Sequence, residues 1–310
     1  MTLRVLAIVG PTASGKTRLA VEVAHRLGAE ILSADSRQVY RGLDLGTGKD
    51  LEEYARVAPP VRYHLVDVTD PRQVYTLFDY QRDCHAVLRR LAADARFAGG
   101  KVPLLLVGGS GLYVEAVVRG FRLADVPEDP ELRRRLAHLE HDELVRRLER
   151  EGPELAARTD RSSRKRLLRG LEIAAAMKRG PVRTSEPLGL EVRWRLFGLA
   201  VERAELRRRI ARRVRERLEA GMVDEVRRLL DAGLAPERLE QLGLEYREIG
   251  AHLAGRVDHD AMVERLTVKI GQLAKRQQTW FAGMARRGLP VEWIAPGDVE
   301  ALVAAAGDDR

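Results

Sequence analysis

The sequence predicts an α/β fold in which a parallel sheet of the P-loop type is flanked by helices and carries an inserted all-helical lobe. Residues 10–17 (GPTASGKT) fit the G-x-x-x-x-G-K-[ST] pattern, with a predicted strand before them and a predicted helix after them. Further short apolar runs also end in polar or glycine-rich turns, as the strands of a parallel sheet do. Arginine-dense helical segments interrupt this series of strands and turns. The predicted organisation is therefore a core at residues 1–121, a lobe at 122–188, and a return to the core, mainly helical with closing strands, at 189–310.

The composition describes a basic chain with enough apolar residues for a sizeable core. The 310 residues are 45% hydrophobic, and the formal net charge is +8. Only seven of the 54 basic residues are lysines, and arginine suits bidentate contacts with phosphate. Because an arginine-rich genome would give the same bias, composition alone favours a nucleic-acid partner only weakly.

The cysteine content and the hydropathy of the chain indicate the cellular compartment of the protein. Cys84 is the only cysteine, so neither a disulfide within the chain nor a cysteine-rich zinc site is expected, which fits a reducing cytosol. The seven histidines show no spacing typical of a metal site. The N-terminal apolar run leads straight into residues 10–17 and is too short for a signal peptide or a membrane span. The sequence predicts a cytoplasmic protein with no membrane partner.

The first predicted strand, residues 3–9, the loop that follows it, and the predicted helix at residues 18–27 form one unit. In such a unit the glycines let backbone N–H groups surround phosphate oxygens, and the helix N-terminus adds a positive dipole end. Lys16 would add a point charge, and the hydroxyl of Thr17 could hold Mg²⁺. The alternative is a glycine-rich turn that binds no phosphate. The predicted binding residues are Gly10, Pro11, Thr12, Ala13, Ser14, Gly15, Lys16 and Thr17.

The second predicted strand, residues 30–34 (EILSA), ends at Asp35 and a polar run. Residues just beyond the carboxyl ends of parallel strands line the ligand crevice, so Asp35 is expected beside the glycine-containing loop. Two alternatives stay open for this side chain. It could hold a metal ion, or it could act as a plain helix N-cap.

Residues 43–50 are predicted to form a glycine-punctuated loop, residues 62–68 a strand, and residues 78–96 a helix with Cys84 facing inward. Residues 102–107 are the most apolar strand and should lie centrally in the sheet. They lead into Gly108-Gly109-Ser110-Gly111, which is predicted to open a helix. A typical nucleotide hydrolase has an acidic residue at this point for Mg²⁺, so the glycines argue against an ordinary ATPase or GTPase.

The lobe and the C-terminal part are predicted to be mainly helical. A basic edge formed by Arg164, Lys165, Arg166 and Arg169 indicates either a nucleic-acid contact or a solvated helix face. Trp280 is predicted to be a core anchor, together with Phe281. The predicted helices are residues 130–137, 141–151, 153–158, 161–173, 202–218, 222–230, 242–253 and 260–281, and the predicted strands are 191–200 and 291–294.

The segments GPTASGKT, DSRQVY, GTGKD, GGSGLY, RKRLLRGLEI, AGMVDEV and KRQQTWF follow one another along the chain. In this order they resemble the tRNA dimethylallyltransferases, also called tRNA isopentenyltransferases, over residues 3–294. The resemblance implies transfer of a dimethylallyl group from dimethylallyl diphosphate to N6 of the adenosine just 3′ of the anticodon, in tRNAs that read codons beginning with U. It also implies Mg²⁺ as cofactor, the anticodon stem-loop as partner, and a monomer.

The same resemblance assigns roles to single residues. Asp35 matches the general base, Lys16 and Thr17 match the residues that hold the diphosphate and Mg²⁺, and Arg213 matches a second cation for the diphosphate. Ser110 matches a position that touches the substrate nucleoside. The tRNA contacts implied by the matching positions are Asp35, Ser36, Arg37, Gln38, Ser110, Arg133, Lys165, Arg166, Leu167, Leu168, Arg169, Tyr246 and Arg247.

Three other functions are weighed against this one. The first is a prenyltransferase that acts on free adenylate, against which the basic lobe speaks because a free nucleotide needs no such surface. The second is a P-loop kinase or NTPase, which the glycines after residue 107 disfavour. The third is a non-catalytic RNA-binding module, which would leave Asp35 and the intact loop without a role.

Overall fold

The computed structural model of the chain describes residues 2–307. Within these residues six strands form a single sheet in which every pair of neighbours is parallel, in the order β3-β2-β4-β1-β5-β6. This arrangement confirms the predicted fold class. The strands are β1 (Thr2–Val9), β2 (Ile31–Ser33), β3 (Tyr63–His64), β4 (Leu104–Gly108), β5 (Glu191–Leu199) and β6 (Glu292–Ile294).

Strand register brings three turns together at one edge of the sheet. Val9, at the end of β1, pairs with Gly108 at the end of β4, and Ser33 of β2 pairs with Val107. The turns that follow these strands therefore emerge side by side at the carboxyl edge. Every residue of β4 is buried, as its predicted central place in the sheet requires.

Helices cover both faces of the sheet, and the described residues contain fourteen of them. None is long and apolar enough to cross a membrane, a statement that covers residues 2–307. The helices are α1 (Lys16–Leu27), α2 (Leu51–Ala55), α3 (Leu77–Ala92), α4 (Gly111–Val118), α5 (Pro130–Leu136), α6 (His141–Glu151), α7 (Pro153–Arg158), α8 (Arg164–Arg179), α9 (Arg203–Glu219), α10 (Met222–Asp231), α11 (Pro236–Leu242), α12 (Leu244–Leu253), α13 (His259–Ala282) and α14 (Val299–Gly307).

The two faces of β1 pack into different cores because successive side chains of a strand point to opposite sides. Leu6 and Ile8 face a core that includes residues from α1, α9, α12 and α13. Val5, Ala7 and Val9 face a second core formed with α3 and α4. The second core also holds Cys84 and Phe281 with almost no exposed surface and Trp280 partly buried, which confirms the predicted packing roles of these three side chains.

The chain divides into two compact units. Residues Phe121–Pro187 form the second unit, and the described residues on either side of this segment form the first. The second unit contains α5 to α8, and its own core consists of Leu132, Leu136, Leu144, Leu148, Ala156, Leu167 and Leu171. The lobe was predicted at residues 122–188. The predicted C-terminal segment ran to residue 310, and its last three residues lie outside the described range.

Several element boundaries differ from the predictions. The strand predicted at 62–68 is only two residues long, because Leu65 and Asp67 adopt left-handed φ angles of 65° and 56°. The helix predicted at 78–96 begins at a Thr76–Asp79 capping box and ends at Ala92. Three short helices, α2, α11 and α14, were not predicted.

Candidate active site at the carboxyl edge of the sheet

The glycine loop, residues 10–17, joins β1 to α1. Gly15 precedes the helix with a left-handed φ of 90°, and no side chain in the described chain caps the first turn. The N–H groups at the start of α1 therefore stay available to an anion. Lys16 folds back over the loop, where its Nζ donates to the carbonyl of Pro11 at 2.7 Å. The Thr17 hydroxyl, in the first helical turn, has no hydrogen-bond partner among residues 2–307.

Burial changes the ionisation of Lys16. Desolvation is the main cause that lowers the pKa of its ammonium group to about 8, and the charge of Arg213 acts in the same direction. The carboxylates of Asp35 and Asp50 oppose this shift. An anionic ligand would therefore stabilise the charged form of Lys16. Lys16 is also close to Asp35, the predicted general base.

Asp35 lies just beyond the end of β2, after Ala34, and begins the aspartate turn, residues 35–38. Its Oδ1 accepts a hydrogen bond from the backbone N–H of Arg37 at 2.9 Å. In the described chain the residues after Asp35 form turns and not a helix, so the helix N-cap alternative is wrong. The side chain closes a local turn instead, with its carboxylate half-buried at the sheet edge.

Ser110 belongs to the serine turn, residues 108–111, which leads from β4 into α4. Its Oγ accepts from the backbone N–H of Ser36 at 2.9 Å and lies 3.2 Å from the Ser36 hydroxyl. A Cβ at Gly108 would overlap the carbonyl of Ala34, so only glycine lets β2 and β4 approach this closely. The structure therefore joins Ser110 to the aspartate turn.

Two arginines of α9 complete the site near the glycine loop. Arg213 lies 3.5 Å from the Thr12 hydroxyl and 3.4 Å from Asp50 Oδ2, and Arg217 donates to Asp50 Oδ1 at 3.0 Å. Burial, followed by the charge of Arg217, lowers the pKa of Arg213 to about 10. Arg217 was not predicted. Eight arginines occur in this helix, and their spacing gave no indication that Arg213 and Arg217 would face Asp50.

The loop at residues 43–50 is held by a buried acid that was not predicted from the sequence. Glu225 of α10 accepts hydrogen bonds from the backbone N–H groups of Asp44, Leu45 and Gly46 at 2.8 to 3.1 Å. The hydroxyl of Tyr246 donates to the same carboxylate at 2.7 Å. The available signal was an acidic residue on the apolar face of α10. Through these bonds Glu225 fixes the loop that ends at Asp50.

The remaining predicted contacts of the first unit have defined surroundings. Gln38 accepts from Ser33 and donates to the carbonyl of Gly48 at 2.9 Å, and Arg37 donates to the carbonyl of Gln241. Tyr246 is fully buried, so its side chain presents no surface to a ligand. Arg247 is half-buried and pairs with Glu248 at 3.1 Å.

In the second unit the predicted contact residues divide by their partners. Arg133 and Arg169 both pair with the buried carboxylate of Glu172, at 2.6 and 3.2 Å. Lys165 is exposed, and Arg166 pairs with the exposed Asp160 at 2.6 Å. Leu167 belongs to the core of this unit and Leu168 packs against it, so the side chain of Leu167 presents no surface to RNA.

A small cavity of about 20 Å³ lies between the glycine loop and α9. Glu245 lines this cavity. Burial raises the pKa of its carboxyl group, while the charges of Arg217 and Arg213 act to lower this pKa. Within residues 2–307 no three His, Cys, Asp or Glu side chains are grouped so that they could hold a metal ion. The cavity is lined by Thr12, Ala13, Ile210, Arg213, Val214, Arg217, Met222, Glu245 and Ile270.

Together these turns place anion-binding groups and a carboxylate at one edge of the sheet. The helix N-terminus, Lys16 and Arg213 can neutralise a leaving diphosphate, and Asp35 can accept a proton. Ser110 lies beside Asp35 and can contact the group that gives up this proton. The geometry suits group transfer from a phosphate ester to a nucleophile.

The chain is similar to known proteins along almost its whole length. The family described as IPP transferase matches residues 38–284, and the family described as isopentenyl transferase matches residues 3–68. The tRNA dimethylallyltransferase 2 of Syntrophotalea carbinolica is 48% identical over 300 residues, which are 95% of each chain. The tRNA dimethylallyltransferase 1 of Geotalea daltonii is 44% identical over 307 residues, 99% of this chain and 95% of the relative.

Two solved structures agree with these matches. The full-length tRNA isopentenylpyrophosphate transferase from Bacillus halodurans superposes with a TM-score of 0.69 at 31% identity, covering 98% of this chain and 95% of that one. A eukaryotic dimethylallyltransferase acting on tRNA also gives a TM-score of 0.69, at 20% identity, covering 96% of this chain and 75% of that one. At this identity the second likeness concerns the fold alone.

Proposed function

The chain belongs to the IPP transferase family, the tRNA dimethylallyltransferases, and on that premise we propose the reaction that its active site performs. It is a transferase that prenylates tRNA. The donor is dimethylallyl diphosphate, and the acceptor is N6 of the adenosine just 3′ of the anticodon, in tRNAs that read codons beginning with U. The products are N6-(dimethylallyl)adenosine in the tRNA and diphosphate.

The observation that carries this proposal is the junction of the aspartate turn with the serine turn beside the glycine loop. Ser110 Oγ accepts from Ser36 N–H at 2.9 Å, and the charge of Asp35 acts on Lys16. A carboxylate is thus close both to the loop proposed for the diphosphate and to a turn suited to a nucleoside. A kinase would need no such acceptor for an amine proton.

In the proposed reaction the allylic C–O bond of the donor breaks and a bond from N6 to the same carbon forms. The diphosphate leaves with the bonding electron pair, and its charge is neutralised by Lys16, Arg213 and the N–H groups of the glycine loop. Asp35 accepts the proton that N6 gives up, so atoms and charges balance. An exocyclic amine is a poor nucleophile, so the proton should be removed from N6 while the new bond forms.

Mg²⁺ is proposed as the cofactor. The uncommitted hydroxyl of Thr17 fits this ion, because Mg²⁺ prefers hard oxygen ligands and is commonly bound through one or two protein oxygens together with substrate phosphates. When bound, Mg²⁺ would offset negative charge on the diphosphate. Thr17 would hold the ion, while Lys16 and the helix N-terminus bind the diphosphate oxygens.

The target base must leave its stack in the anticodon loop before its amine can reach Asp35. The exposed basic residues of the second unit, such as Lys165, supply charge suited to the phosphates of the anticodon stem-loop. Direct contacts by Ser36, Arg37, Gln38, Ser110 and Arg247 form part of the same proposal. The monomeric state and the cytoplasmic location stay predictions.

The test is a transfer assay with two acceptors. Purified protein is incubated with Mg²⁺, radiolabelled dimethylallyl diphosphate, and either unmodified tRNA or AMP, and the RNA is then digested to nucleosides. We expect label in N6-(dimethylallyl)adenosine from tRNA and none on AMP. Label on AMP alone, or ATP hydrolysis without prenyl transfer, would contradict the proposal.

A further inference from the structure

Gln277 of α13 connects two turns of the active site through one side-chain amide. Its Oε1 accepts from the backbone N–H of Thr12 at 2.8 Å, and its Nε2 donates to the carbonyl of Gly109 at 2.9 Å. Thr12 belongs to the glycine loop and Gly109 to the serine turn. None of the roles derived above uses this residue.

The two bridged turns lie on neighbouring strands. Because Val9 pairs with Gly108, the chain leaves β1 and β4 at the same level of the sheet. A side chain that bonds to the turns after both strands therefore holds two segments at a fixed distance. These are the loop proposed for the donor and the turn proposed for the acceptor. Gln277 is the side chain that makes this span, and α13 supplies it from outside the sheet.

The fit around this amide is close. A Cβ added at Gly109 would lie 2.5 Å from Gln277 Nε2, so a larger residue there would displace the amide. One turn further along α13, the indole of Trp280 packs so tightly on Gly111 that a Cβ there would overlap it. Two residues of the KRQQTWF segment thus pack on two glycines of the GGSGLY segment, which fixes the register of α13 against the serine turn.

The chemistry of the bridge needs an amide. An amide offers one acceptor and two donors, whereas an ionised carboxylate only accepts. A glutamate could accept from Thr12, but its charge would face the carbonyl oxygen of Gly109. Alanine would leave both backbone groups without their partner, at a cost for each buried group.

We propose that Gln277 is a positioning residue that sets the separation of the donor loop and the acceptor turn for the transfer step. This inference rests on the proposed function. It predicts an effect on the chemical step and not on binding, because each turn keeps its own ligand-binding groups. Both polar atoms of its amide, Oε1 and Nε2, bond to backbone groups of the protein itself.

The test compares Gln277→Ala with Gln278→Ala, a matched control in the same helix. Gln278 is half-buried like its neighbour, but it donates only to the carbonyl of Val201, at 3.4 Å. For Gln277→Ala we expect kcat to fall about 10- to 100-fold, with KM for both substrates close to wild type, since misalignment by an ångström can cost this much. For Gln278→Ala we expect wild-type kcat. A rise in KM with unchanged kcat, or equal losses in both variants, would overturn the proposal.

Gln277→Glu provides a readout that a purely structural role would not move. When protonated, the glutamate regains a donor for Gly109, so the ratio of variant to wild-type kcat should rise as pH falls. Taking the ratio cancels the pH dependence of the steps that both proteins share. A ratio that does not change with pH would contradict the bridge. If the wild-type protein transferred no prenyl group to tRNA, the proposed function would fail instead, and the two failures are therefore distinct.

Discussion

Asp35 and Asp70 both accept a hydrogen bond from the backbone N–H two residues ahead, at 2.9 and 2.8 Å, but only Asp35 lies at the active site. This likeness makes Asp70→Asn a matched control for Asp35→Asn. The asparagine can keep the turn in both places but cannot accept the proton from N6. We expect Asp35→Asn to lower the single-turnover rate about 10²- to 10⁴-fold.

The control variant Asp70→Asn should transfer at the wild-type rate. Filter binding should show that Asp35→Asn still binds tRNA about as well as the wild-type protein, because its shape and its turn are retained. Loss of tRNA binding in this variant, or full activity, would be incompatible with a base role for Asp35.

Lys16 gives a prediction for pH. Its pKa of about 8 means that the ammonium form dominates below pH 8 and the neutral amine above it. Only the ammonium attracts the donor diphosphate, so donor affinity should fall as pH rises through 8, by up to about tenfold per unit. Lys16→Arg should bind with little pH dependence in this range because a guanidinium stays charged. Calorimetric titration with dimethylallyl diphosphate from pH 7 to pH 9.5 measures both; a flat wild-type profile would exclude Lys16 as the group that binds the diphosphate.

At the scale of residues, the sequence could predict what a local segment determines. Lys16, Thr17, Asp35 and Ser110 each stand at a fixed offset from the end of a strand, so their convergence follows from a parallel sheet. The contacts of Arg217, Glu225 and Gln277 could not be predicted in this way. Each of them joins segments more than 150 residues apart, and their pairing depends on how the helices pack.

Among the elements, the packing of α13 on the start of α4 is the most restrictive. Gly111→Ala would push a methyl group into the indole of Trp280, and overpacking of this kind costs about 1 to 3 kcal/mol. The displaced helix also carries Gln277. We therefore expect a lower Tm together with a lower kcat.

Gly271→Ala is the control for this variant. Gly271 lies in α13, the helix that carries Trp280, and a Cβ there would meet nothing within 4 Å. This variant should keep its activity and gain up to about 1 kcal/mol of stability from better helix propensity. A normal Tm for Gly111→Ala, or an equal loss for Gly271→Ala, would show that the contact with Trp280 does not restrict this position.

Element prediction succeeded where the pattern was long and failed where it was short. The 24 residues of α13 and the 17 of α9 carry clear helical periodicity. By contrast, α2 and α11 have five and seven residues, too few for a periodic signal, and β3 is cut short by two left-handed residues. The α14 segment, rich in alanine and valine, lacks a polar face that would have marked it as amphipathic.

For the whole molecule, the net charge of +8 predicts tRNA binding that weakens as salt rises. Lys165 gives the sharpest test, because it is exposed while Arg169 is tied to the buried Glu172. Lys165→Glu should weaken tRNA binding about equally for different tRNAs and lower the slope of log affinity against log salt by about 1.

Lys101→Glu is the matched control, because Lys101 is exposed at the amino edge of the sheet, just before β4, and lies in the first unit. The two variants have the same net charge, so any difference between them reflects position. Equal effects of the two substitutions would mean that only net charge matters and that the second unit presents no specific surface to the RNA.

The most direct test of transfer to N6 uses two anticodon stem-loops that differ at one nucleotide. One has adenosine just 3′ of the anticodon, and the other has guanosine there, which lacks the exocyclic amine at C6. Each is incubated with the protein, Mg²⁺ and radiolabelled dimethylallyl diphosphate. We expect label to enter the adenosine stem-loop with release of an equal amount of diphosphate, and no label to enter the guanosine stem-loop. Label in both, or in neither, would contradict transfer to N6 of that adenosine.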